Sequence, residues 1–368
     1  DMEISGTIVS VSFGTLTVIV FYLIGKSVFD RKISFVSSVI LALHPYAVRF
    51  SVDIISESTY FFFFISALGL GFFAIAERKY YLFALTGIFT ALAYLVRPEG
   101  IGIILIVAGW CILKDLTKFK VVWKEKFVSI LIIIISFFVF SLPYLVYIKN
   151  ERGHWSLTKK KDVSKVIGVN VMLGSGGSKK SNNLKKEMGD EHAKMKNISR
   201  DAKTDAKLNK QGSNKSTTSS DRNITKQNTR IRIDLKKLKI DVNSILYIAE
   251  KYLTTFHPFL FLFLIIGVIK WTRVRKVRYF GFYIASVIVF YLLVLYRLNL
   301  AYTPTFQYPS RRHLVPLVIP AIFCVGIGVH VTGSWIHEKF KFERLKNGLR
   351  GRLRNVWIAQ LLILMIIV

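Results

Sequence analysis

Apolar residues in this chain neither alternate with polar ones nor recur every third or fourth position. They come in long unbroken runs, at about 5–24, 33–49, 58–76, 81–96, 101–113, 127–148, 254–269, 280–296, 314–331 and 356–368. A bilayer core takes roughly 20 residues of helix to cross, so most of these runs are long enough, or nearly so. The run 101–113 is short and reads as tilted or partly interfacial. Inside the runs there is no Asp, Glu, Lys or Arg except Arg49 at an edge. Hydrocarbon offers no partner to a backbone N–H or C=O, so spans of this kind satisfy their own hydrogen bonds as helices. The pattern predicts an all-α polytopic membrane protein with about ten transmembrane segments. It divides into a bundle over 1–148 (about six helices), a loop region over 149–253, and a second bundle over 254–368 (about four helices).

Composition narrows the class. Of 368 residues 52% are hydrophobic, and the mean hydropathy is +0.43. That excludes a cytosolic enzyme, a disordered regulator and a disulfide-stapled secreted domain. Cys111 and Cys324 both lie in apolar runs without metal-ligand spacing, so they read as small buried hydrophobes.

Charge then orients the spans. The net charge is +30, from 52 Lys and Arg against 22 Asp and Glu. Alternate connections, beginning with Lys26, Arg31 and Lys32, hold 22 Lys and Arg. The short loops of the opposite set hold five: Arg49, Arg97, Arg297, Arg311 and Arg312. The positive-inside rule places the first set in the cytoplasm. The chain opens at Asp1-Met2-Glu3 and closes inside an apolar run at Val368, which reads as an internal segment of a longer protein.

Residues 149–250 break the pattern, with 24 Lys and Arg and 11 Asp and Glu. The stretch 174–230 is too polar to bury a core and is expected to be disordered, as one long extracytoplasmic insertion. Its length exempts it from the charge rule. Residues 231–253 have helical periodicity. A basic disordered run suits solvent or anionic headgroups. Without interleaved aromatics or a nucleic-acid-binding fold, nucleic acid is not an expected partner. Sequons stand at Asn197, Asn214 and Asn223 and matter only where a glycosylation pathway exists.

Ionisable residues at a membrane face are the informative ones, and three groups fall on the outer face. In the first, Arg49, Asp53 and Glu57 are spaced by four and would stack if 46–58 were one helix. Asp53 could then pair with Arg49, leaving Glu57 at the mouth of the next span. An interfacial salt bridge is the competing account. The second is Arg97-Pro98-Glu99-Gly100, where Pro98 disfavours helix at Arg97 and turns it towards a cavity; snorkelling to headgroups competes. The third is Arg311-Arg312-His313 at a helix start, a donor-rich anion site because guanidinium offers a planar fork of donors. Headgroup anchoring competes there too. No Walker loop, His-Glu-x-x-His, Gly-x-Ser-x-Gly or CxxC is present, and no metal is expected.

These residues, with His44-Pro45, Ser56-Glu57, Leu85-Thr86-Gly87, Leu95-Val96-Arg97-Pro98-Glu99-Gly100, Gly153-His154-Trp155, Phe256-His257-Pro258 and Arg311-Arg312-His313-Leu314-Val315-Pro316, resemble the multi-pass GT-C glycosyltransferases. That group includes the dolichyl-phosphate-mannose protein mannosyltransferases and the aminoarabinose-transferase-like enzymes. The resemblance implies a GT-C-like helical bundle that transfers a sugar from a polyprenyl-phosphate donor to an extracytoplasmic acceptor (glycolipid, polysaccharide or protein). Transfer would be an inverting displacement, with the lipid-phosphate sugar as substrate and no cofactor. It implies donor-phosphate contacts from Arg97, Arg311, Arg312 and His313, although Tyr is more usual at the last position. Glu57, with Asp53 beside it, is the carboxylate candidate in this segment. The family's usual acidic base lies in a first outer loop that would precede residue 1, so the segment would be inactive alone if it depends on that base. A bacterial or archaeal cytoplasmic membrane is the expected location, with the endoplasmic reticulum as the alternative. Two other classes compete: a non-catalytic membrane scaffold or degenerate relative, and a secondary transporter, for which neither midplane carboxylates nor an internal repeat is found.

Overall fold

The computed structural model describes residues 2–114, 123–153, 155, 242–271, 275–302 and 310–339. These residues are all-helical. In chain order the helices are α1 (Met2–Val28), α2 (Arg31–Leu43), α3 (Pro45–Val52), α4 (Glu57–Glu77) and α5 (Tyr80–Val96). A 3-10 turn (Pro98–Ile101) leads into α6 (Gly102–Leu113), and α7 (Trp123–Arg152) follows. After the insertion come α8 (Val242–Phe256), α9 (Pro258–Trp271), α10 (Arg275–Tyr302) and α11 (Arg311–Lys339). They belong to one compact unit, residues 1–170 with 241–368; a second unit, 171–240, lies outside the described residues. The expected disorder at 174–230, the three sequons and the run 356–368 also lie outside them.

Among the described residues, five helices are long and apolar enough to cross a membrane, or up to seven if each of two bent pairs is one span. Tyr80–Val96 and Pro98–Leu113 are shorter apolar helices. Helix α11 is the centre of the bundle: 89% of its apolar window is buried, against 28% for α1 and α7, which present apolar side chains outward. The centre is built by close backbone approach at glycine. Gly267 of α9 lies against the Cys324 carbonyl of α11, and Gly328 of α11 against the Phe263 carbonyl of α9. Gly326 lies against the Ser37 side chain of α2. Lipid supplies no hydrophobic drive between helices, so packing through small residues carries the association. Phe21 and Phe323 stack at 3.8 Å between centroids across α1 and α11.

Hydroxyls within the helices bond carbonyls one turn back, such as Ser66 to Phe62 at 2.6 Å, Thr86 to Leu82 at 2.7 Å and Ser141 to Phe137 at 2.8 Å. A hydroxyl in hydrocarbon is thereby satisfied locally. At the turn between α4 and α5, Lys79 Nζ bonds Glu77 Oε2 at 2.8 Å, and that bond raises the lysine above its ordinary value.

Three expectations about element boundaries need correction. The run 33–49 is not one straight helix: α2 and α3 meet at 57°. Pro45 holds His44 in an extended conformation, with φ −66° and ψ 120°. The run 254–269 is likewise two pieces, because α8 and α9 meet at 98°. His257 before Pro258 takes a left-handed φ of 70°. Of the helix expected over 231–253, residues 242–253 are helical, and 231–241 lie outside the described residues. Finally, 46–58 is not one helix. Helix α3 stops at Val52, with Asp53 extended as its C-cap. Asp53-Ile54-Ile55-Ser56 joins two cap-forming residues to two β-branched ones, all poor helix formers.

Candidate functional site

The short connection between α3 and α4 seats the first site residue. Ser58 Oγ donates to the Phe50 carbonyl at 2.7 Å, and Ser10 Oγ of α1 donates to the Ile55 carbonyl at 3.4 Å. These bonds tie the turn down and place Glu57 at the first position of α4. A carboxylate there is favoured by the positive end of the helix dipole. The Glu57 side chain is nonetheless only 4% exposed.

Its partner comes from the next connection. Helix α5 ends at Val96, and Arg97 is extended, with φ −147° and ψ 131°, as the residue before Pro98 must be. The 3-10 turn that follows folds back on the end of α5. A Cβ at position 100 would stand 2.7 Å from the Tyr94 nitrogen and 2.8 Å from the Ala93 carbonyl carbon, so only Gly100 fits. Tyr291 of α10 donates its O–H to the Glu99 carbonyl at 2.9 Å and fixes the turn from the other side. Arg97, 13% exposed, forms an ion pair and hydrogen bond with Glu57. Its guanidinium also lies 5.6 Å from the centroid of the Tyr60 ring, a cation–π contact that shields the pair.

The third group arrives at the start of α11. Ser310 lies 2.9 Å from His313 Nδ1 and accepts the His313 backbone N–H at 3.0 Å, which turns the chain into the helix. A cavity of about 390 Å³ then gathers the three groups. Its lining includes Glu57, Arg97, Glu99, Arg312, His313 and Tyr144.

Four of the six residues singled out from sequence therefore share this cavity, and two do not. Asp53 pairs with Arg49 at 3.8 Å, with both side chains largely exposed, and neither residue lines the cavity. The ladder that would have stacked Glu57 above Asp53 is replaced by the Glu57–Arg97 pair. Arg311 stands 5.4 Å from the Tyr46 ring centroid and is also outside the lining. Sequence reasoning missed Glu99, Tyr94 and Tyr144 as cavity residues. The signal for Glu99 was its place between Pro98 and Gly100, a pattern that predicts a turn. Tyr144 adjoins a proline inside α7, but which way its ring faces depends on α7 packing against α5. Among the described residues, no three His, Cys, Asp or Glu side chains gather as a metal site would require.

Charge in the cavity is partly cancelled. Glu57 and Arg97 neutralise each other, leaving Glu99 and Arg312 as opposite charges, with His313 adjacent. A lining that holds both a guanidinium fork and a carboxylate suits a ligand that carries both an anionic group and hydroxyls.

Residues 1–147 match the family model of the dolichyl-phosphate-mannose-protein mannosyltransferases. The match contains α1 to α6 and most of α7, and with them Glu57, Arg97 and Glu99; it stops short of Arg312 and His313. No curated protein matches the chain. Among solved structures, the Archaeoglobus fulgidus oligosaccharyltransferase in its apo form is similar, with 13% identity and a TM-score of 0.48 over 98% of this chain. The chain spans 43% of the length of that protein. The same oligosaccharyltransferase in complex with zinc and sulfate is similar at 11% identity, with a TM-score of 0.44 over 96% of this chain and 40% of that one.

Proposed function

We propose that this chain is the membrane core of a glycosyltransferase that moves a sugar from a polyprenyl-phosphate donor to an acceptor on the extracytoplasmic side. The observation that carries the reading is the cavity where a buried Glu57–Arg97 pair meets Arg312 and His313, within a chain whose first 147 residues match a mannosyltransferase family. The lipid-linked phosphate docks at the Arg312 wall, where the guanidinium and the start of α11 both offer N–H donors. Arg97 keeps donors to spare beyond its bond with Glu57 and turns them to the same phosphate. Arg311, on Tyr46, adds positive potential from outside the cavity. Asp53 holds Arg49 and takes no part.

In the reaction an acceptor hydroxyl attacks the anomeric carbon, the bond to the phosphate oxygen breaks, and the configuration inverts. The proton of the hydroxyl passes to a carboxylate base. The departing phosphate carries away the electron pair, and its charge grows most at the transition state. Fixed guanidinium donors in a water-poor site are worth most at that moment. Glu57 holds Arg97 in place rather than taking the proton itself, because its charge is committed to the guanidinium.

The test is sugar transfer by the complete protein in membranes, with radiolabelled polyprenyl-phosphate mannose as donor. Arg312→Ala is expected to cut transfer by about 100-fold or more, the size seen when one transition-state charge donor is removed, while the protein still purifies as a folded species. Arg311→Ala is expected to cost about tenfold or less. Equal, small effects of both substitutions would reject the phosphate site.

A further inference from the structure

Two carboxylates line the cavity, and they are not in the same state. Glu57 is bound by Arg97. Glu99 is not: its Oε2 is buried and has no hydrogen-bond partner in the protein. A buried carboxylate oxygen left without a donor costs free energy that folding alone does not explain. The turn around it is also held unusually firmly, by the proline before it, by Gly100 packed on the end of α5, and by the Tyr291 hydroxyl on the Glu99 carbonyl. Glu99 is also part of the cavity lining, and an unsatisfied acceptor on a rigid turn at a cavity wall is a preorganised binding group.

We propose that Glu99 accepts a hydrogen bond from a hydroxyl group of the transferred sugar and thereby sets which sugar the cavity takes. This rests on the sugar-transfer reading above. The chemistry of the lining favours a hydroxyl over a cationic group, since Arg97 and Arg312 already line the cavity with positive charge. A carboxylate is the stronger acceptor for a hydroxyl, because a charge-assisted O–H···O bond is roughly twice as strong as a neutral one. The Tyr94 and Tyr144 rings in the same lining suit the apolar C–H faces of a pyranose. Glu99 is thus a specificity-determining residue and is distinct from the base.

The experiment compares the complete wild-type protein with Glu99→Gln and Glu99→Ala. The donors are polyprenyl-phosphate mannose and its 2-, 3-, 4- and 6-monodeoxy analogues, and the readout is kcat/KM. The wild type is expected to disfavour one analogue strongly, by about 100-fold or more, because a site that hydrogen-bonds a hydroxyl rejects the ligand lacking it. Glu99→Ala is expected to lose the parent donor by a similar factor. It should also lose discrimination at that one position while keeping it at the other three. Glu99→Gln, which keeps an acceptor oxygen without the charge, is expected to fall between the two. Wild-type discrimination surviving at all four positions in Glu99→Ala overturns the assignment. So does failure of the near-isosteric Glu99→Gln to fold, which would make Glu99 a structural residue. If the wild type transfers no sugar from any donor, the sugar-transfer reading falls and takes this one with it; an active wild type with an indifferent Glu99 removes only the specificity role.

Discussion

Removing one member of the Glu57–Arg97 pair should be far more damaging than removing both. The two side chains are 4% and 13% exposed, so solvent screens them little. Breaking a buried pair from one side typically costs about 3–5 kcal/mol, whereas replacing both members by uncharged groups is often near neutral. The assay is unfolding in detergent micelles for wild type, both single variants and Glu57→Gln/Arg97→Met. The expected outcome is a coupling free energy of about 2 kcal/mol or more. Additive single effects below about 1 kcal/mol would refute a buried pair.

Two further predictions concern the bundle itself. Gly267→Ala or Gly328→Ala should drive a methyl group into a facing backbone carbonyl, separate α9 from α11 and destabilise by about 1–3 kcal/mol; an unchanged midpoint in thermal unfolding would show that the helices can part without strain. Trp110→Phe removes the indole N–H bond to Ser286 Oγ at 2.7 Å and should cost about 1 kcal/mol, with no loss of transfer, since Trp110 lies outside the cavity that holds Glu57.

What the sequence determined by itself was whatever depends on local composition. Runs without charge over bilayer length can only be helices, because hydrocarbon satisfies no backbone group from outside. The grouping of Glu57, Arg97 and Arg312 at one end of the bundle's apolar runs was legible because charges are confined to the ends of such runs. The breaks at His44 and His257 were written in the prolines that follow them, yet the angles of 57° and 98° depend on what each half packs against. Tertiary structure alone decided the pairings. Glu57 and Arg97 are 40 residues apart, and no periodicity links them. Their meeting follows from α4 and α5 lying side by side, which brings the start of one helix beside the end of the next. The same packing separated two adjacent arginines, sending Arg311 to Tyr46 and Arg312 to the cavity, since neighbours on a helix point about 100° apart. It also left Glu99 Oε2 buried without a hydrogen-bond partner at the cavity wall, a property that belongs to the surroundings of a side chain and so cannot be read from the chain alone.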